Sequence, residues 1–120
     1  MKILIFAYDA DSGFFVSFKD HLKRMIAGGK HKCILCRLTY GKVFMKRVWR
    51  DFLDNLSYQK IFFHKKEFRR AHPEFTYLEL PAILLKDENG IKVLITAQEI
   101  SSTEDVDALI GLLGRKLSGL

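Results

Sequence analysis

Residues 80–95 read LPAILLKDENGIKVLI, two apolar runs separated by Asp87-Glu88-Asn89-Gly90 and preceded by a proline. Asn-Gly between apolar runs is the strongest short-range hairpin signal in a sequence, so the two runs are predicted to pair as antiparallel strands. Upstream, Lys60-Ile61-Phe62-Phe63-His64 has the length and composition of a short strand, and KKEFRRA can supply one or two helical turns before His72-Pro73 ends them. Downstream, Ser101-Ser102-Thr103 is predicted to cap a closing helix. Its first turn carries Glu104, Asp105 and Asp107 and its last Arg115 and Lys116, the charge order that suits the helix dipole. Val106, Leu109, Ile110, Leu113 and Leu117 form its inward stripe.

The first half continues the alternation. Ile3-Leu4-Ile5-Phe6-Ala7 is a continuous apolar run, as expected of a strand covered on both faces, which suggests a parallel pairing. Ser12 then offers an N-cap. Phe15, Phe18, Leu22, Met25 and Ile26 recur at helical spacing until Gly28-Gly29 stops the pattern. Residues 32–40 are again mostly apolar, bounded by Gly41, and are read as a second buried strand. Met45, Val48, Trp49, Phe52, Leu53 and Leu56 then form the most regular helical stripe in the chain, with Lys46, Arg47, Arg50 and Asp54 opposite.

The 120 residues, 48% of them apolar, have a mean hydropathy of zero and no repeat, linker or low-complexity stretch. One α/β domain is expected. The N-terminal apolar run is too short for a signal core or a membrane span, so a cytoplasmic location without membrane attachment is expected. Two cysteines in a reducing compartment are more often free, catalytic or metal-bound than a structural disulfide. Twenty Lys and Arg against fourteen Asp and Glu give +6, a charge that attracts anions but does not by itself name a partner.

Strand, helix, strand, helix, strand, short helix, proline, hairpin and closing helix is an order that resembles the thioredoxin fold, and it covers nearly the whole chain. Residues 60–113 carry the most specific part of the likeness, and Leu80-Pro81 looks like the family's cis-proline, its loop packed against the start of a helix near Val43. The segment C-x-L-C-x-L-T-Y-G, with D-x-D-S-G upstream, is similar to a group of uncharacterised bacterial thioredoxin-like proteins and brings no activity with it. The resemblance implies a mixed central sheet of four to five strands flanked by helices. It also implies an active-site position just after the second strand, where this chain has Thr39-Tyr40-Gly41-Lys42 and no cysteine.

Cys33 and Cys36 fall earlier, where a strand is expected. Residues three apart in a strand lie about 10 Å apart and point to opposite faces, whereas a disulfide needs Cα atoms nearer than about 7 Å. In a strand the two are small core hydrophobes. If the strand stops near Lys32, they form a turn with a reactive thiol, and the chain is a thiol-disulfide oxidoreductase with Cys33 or Cys36 as nucleophile. Zinc would need more ligands than His31 supplies, so no metal and no cofactor are expected.

Tyr8-Asp9-Ala10-Asp11-Ser12-Gly13 follows the first strand with two carboxylates and a hydroxyl. Phosphatases with Asp-x-Asp and receiver domains gather acids there, but the partner motifs of both are missing, and a helix start capped by Ser12 explains the residues. Gly41-Lys42 lacks the surroundings of a P-loop. Residues 60–70 mix Lys60, Lys65, Lys66, Arg69 and Arg70 with Phe62, Phe63 and Phe68, a pattern that can track a phosphate backbone and stack on bases. The rings lie where the fold needs core, so nucleic acid is disfavoured.

Three function classes therefore remain. The preferred one is a non-redox module that holds an extended peptide or small ligand in a groove between Tyr40, Gly41 and Lys42 and the Leu80-Pro81 loop, with Asp9, Asp11 and Ser12 nearby. The others are the oxidoreductase and the nucleic-acid binder. Neither the identity of the protein or peptide partner nor the oligomeric state is legible.

Overall fold

A computed structural model of the chain describes residues 2–9, 34–39 and 46–120, with the backbone alone at Ile34, Cys36 and Arg37. Its described elements are β1 (Ile3–Ala7), α1 (Ile34–Thr39), α2 (Arg47–Asp54), β2 (Gln59–Phe63), α3 (Lys65–Ala71), a 3-10 turn (Pro73–Phe75), β3 (Ala82–Asp87), β4 (Gly90–Ile95), α4 (Ala97–Ser101) and α5 (Val106–Ser118). The strands form a four-stranded mixed sheet in the order β2-β1-β3-β4. β1 pairs in parallel with β2 and antiparallel with β3, and β3 pairs antiparallel with β4.

The continuous apolar run of β1 follows from its central place. Leu4, Phe6 and Tyr8 belong to one core, with Ile83, Leu85, Trp49, Leu53, Leu109 and Leu113. Ile5 and Ala7 belong to a second, with Ala82, Leu84, Leu80 and Phe68. Successive residues of a strand point to opposite faces, so a strand buried on both has no polar side to show. β4 places two successive residues, Leu94 and Ile95, in the first core. Between the Leu84–Val93 and Ile83–Ile95 pairs the register slips, which leaves Leu94 as the extra residue of a bulge.

The hairpin closes as its sequence predicts. Asp87 pairs with Gly90, its Oδ1 accepts from the Asn89 N–H at 2.8 Å, and Gly90 has φ +123°, a conformation that side chains resist. The Leu80–Pro81 peptide bond is cis.

Residues 34–39 are helix and not the expected strand. Among the described side chains Leu35, Leu38 and Thr39 are buried, a 3-then-1 spacing that puts them on one helical face. A short, mostly apolar stretch satisfies strand and helix equally, and here helical packing against the core prevails. The closing helix also begins otherwise than predicted. Ser101, Ser102 and Thr103 end α4 and donate their hydroxyls back to the carbonyls of Ala97, Gln98 and Glu99. Asp105 caps α5 instead, accepting from the Ala108 N–H at 2.8 Å. α4 has its own capping box, Thr96 with Glu99. The predicted helix starting at Ser12 and the start of the helix near Val43 lie outside the described residues.

Candidate functional site

β1 ends at Ala7, which pairs with Phe63 on one side and Ala82 on the other. The Tyr8 N–H donates to the Phe63 carbonyl at 2.9 Å, so the chain stays in line with the sheet for one more residue. Half-buried Asp9 follows, its Oδ1 3.7 Å from Nζ of Lys65 at the start of α3. Across the sheet, the cis Leu80–Pro81 bond lies immediately ahead of Ala82. Tyr8-Asp9 and Leu80-Pro81 therefore flank the same final pair of the ladder. Leu80 and Pro81 are buried, so this loop has chiefly main-chain groups to offer a ligand.

Tyr8 also ties the site to α1. Its hydroxyl lies 3.2 Å from Thr39 Oγ1, and that oxygen donates its single hydrogen to the Leu35 carbonyl at 2.7 Å, so Tyr8 is the donor in the pair. Both residues are fully buried. The Thr39 carbonyl accepts from the Lys46 N–H at 2.7 Å, which brings together the two ends of residues 40–45. Thr39, the residue before Tyr40-Gly41-Lys42, is thus fixed to the end of β1.

Of the residues singled out in the sequence, Asp9, Leu80 and Pro81 come together. Tyr40, Gly41, Lys42, Asp11, Ser12 and Cys33 lie outside the described residues. Cys36 is on α1 and not in the expected strand. Among the described residues no three of His, Cys, Asp and Glu gather as a metal site, and no helix is long and apolar enough to cross a membrane.

The basic stretch is used locally. Lys60 Nζ donates to the Leu56 carbonyl at 2.9 Å and Lys65 meets Asp9. Arg69 Nη1 donates to the carbonyls of Phe75, Thr76 and Leu78 at 3.0, 2.8 and 2.8 Å. Phe68 is fully buried, Phe62 stacks on Phe6 with centroids 4.8 Å apart, and Phe63 packs against the second core. These rings are committed to the interior. Arg69 and Thr39 stand in the sequence as part of a basic stretch and of the Thr39–Lys42 position, but their ties to backbone carbonyls were not legible, since no side-chain pattern marks such acceptors. Sequence reading missed an open polar groove between α4 and α5, lined by Gln98, Glu99, Ser102, Thr103, Leu112 and Arg115. There the Lys116 ammonium, 2.8 Å from Glu99, holds the Glu99 carboxyl below its usual range, helped by the Thr96 N–H.

No family model matches this chain. Neither a curated protein nor a solved structure matches it. The site's own geometry carries the functional reading.

Proposed function

We propose that this chain is a thioredoxin-like binding module that holds an extended peptide or small ligand at the carboxyl end of β1, beside the Leu80–Pro81 loop. Support for the likeness comes from the strand order β2-β1-β3-β4, with one parallel and two antiparallel pairings, and from a cis-proline directly ahead of β3. The observation that carries the non-redox reading is the occupant of the place beside Pro81. Among the described residues it is Tyr8-Asp9, a phenol turned into the core and a carboxylate paired with Lys65. Main-chain groups at the end of such a ladder pair with an extended segment as sheet edges do, while Asp9 and Lys65 supply polar contacts.

A second reading, thiol-disulfide exchange, rests on Cys33 and Cys36, of which Cys36 lies on α1.

Peptides selected from a random display library on the immobilised chain decide between the two. Binding that survives Cys33→Ser/Cys36→Ser and is lost in Asp9→Lys supports the module. Insulin reduction with dithiothreitol that disappears in the double serine variant moves the function to the thiols.

A further inference from the structure

Three carbonyls of one short segment converge on a single nitrogen of Arg69, those of Phe75, Thr76 and Leu78, at 3.0, 2.8 and 2.8 Å. Nη1 carries two hydrogens, so at least one is shared between two acceptors, and the backbone has to wrap around the guanidinium to bring all three within reach. The wrapped segment follows the 3-10 turn and leads through Glu79 to Leu80-Pro81. Phe68, the neighbour of Arg69 on α3, is fully buried in the core that also holds Leu80. Two adjacent residues of one helix thus grip the same loop, Phe68 through its apolar neighbours and Arg69 through the carbonyls. Hydrogen bonds from a charged donor are the stronger kind, and several at one atom fix geometry as well as energy.

We propose that Arg69 is a positioning residue of the ligand site, holding the Phe75–Leu78 backbone so that the Leu80–Pro81 loop presents one fixed set of main-chain groups to the ligand. This rests on the binding-module reading above. A loop already ordered in the free protein spares the ligand the entropy of ordering it, so the clamp acts on affinity without touching the ligand. Arg70 provides the internal control, since it is exposed on the same helix and carries the same charge.

Native-state amide exchange on the full chain tests the clamp, and retention of a labelled random-decapeptide pool tests its consequence. Arg69→Met should speed exchange at Leu78, Glu79, Leu80 and Ala82 by about tenfold or more while Leu109 and Leu113 on α5 keep their protection. Millimolar guanidinium should restore both the protection and the peptide retention, and equimolar sodium chloride should restore neither. Arg70→Met should behave as wild type. Arg69→Lys, which keeps the charge and serves if the Met variant does not fold, should fall between, because the lysine ammonium ends one bond short of the position of Nη1 and does not reach all three carbonyls. Unchanged loop exchange in Arg69→Met or Arg69→Lys overturns the clamp, as does acceleration spread evenly over α5. A loosened loop that retains peptide as wild type does overturns the positioning role. A wild-type chain that retains no peptide overturns the binding reading and, with it, Arg69's role at a ligand site, and it is told apart by the wild-type measurement alone.

Discussion

The two faces of the sheet use the same strands for different ends. On one, Leu4, Phe6 and Tyr8 of β1 and Ile83 and Leu85 of β3 meet large residues of α1, α2 and α5, with Trp49 edge-on to Phe6 at 5.9 Å. On the other, the same two strands contribute Ile5, Ala7, Ala82 and Leu84, and among the described residues the fully or nearly buried side chains that join them are Phe68 of α3 and Leu80 of the loop. The first face joins helices far apart in sequence, so it sets global stability. Among the described residues the second seats the Leu80–Pro81 loop by a few side chains and by the Arg69 hydrogen bonds, so it sets the shape of the proposed site. Ala7 and Ala82, the last pair of the ladder, are both small and fully buried.

The largest effect should come from the first face. Trp49→Ala removes a fully buried indole and should cost about 3–5 kcal/mol in urea unfolding, enough to unfold a marginal domain. Leu80→Ala should cost about 2 kcal/mol, at the low end for a buried leucine because the loop can settle into the space, and should accelerate exchange in residues 76–81 before that of α5. Equal global losses from the two substitutions would break the contrast between the faces.

Thr39→Val keeps the shape of the side chain while removing the acceptor for Tyr8 and the bond to the Leu35 carbonyl. A loss of about 1–2 kcal/mol is expected, read from the denaturation midpoint at unchanged slope. No loss would mean that the link between α1 and the end of β1 contributes nothing. The smallest effect lies at the rim. The Glu99 carboxyl titrates below its ordinary value of 4.5 in the folded chain because of Lys116 and Thr96. A lowered folded value gives stability that is present above the unfolded value and is lost as pH falls through the folded one. The advantage of wild type over Glu99→Gln should thus be constant at neutral pH and shrink below about pH 4.5, and in high salt it should be small throughout because the pair is partly exposed.

The second half of the chain was legible because its signals are local. Asn89-Gly90 closes the predicted hairpin, and the helix before His72-Pro73 stops where the proline requires. The proline ahead of β3 is cis, as the resemblance implied. Residues 34–39 were not legible, since six mostly apolar residues with a single charge at Arg37 are too few to set a period, and the partners that make them helical, Tyr8 and the first core, are distant in sequence. The α5 cap was misplaced for a related reason. Ser101, Ser102 and Thr103 suit a helix start by composition, yet their hydroxyls serve the end of the preceding helix. Of the site, Asp9, Leu80 and Pro81 could be named in advance. The hydrogen bonds of Arg69 could not, because its acceptors are carbonyls six to nine residues away.

Amide chemical-shift mapping with a display-selected peptide shows whether a ligand meets this chain at the end of β1 beside Pro81, as proposed. The perturbed amides should cluster at Tyr8, Asp9, Leu80 and Ala82, with the hairpin tip at Glu88 and Asn89 unmoved. Perturbations confined to the groove of Gln98, Ser102 and Arg115, with the end of β1 silent, would contradict the proposal.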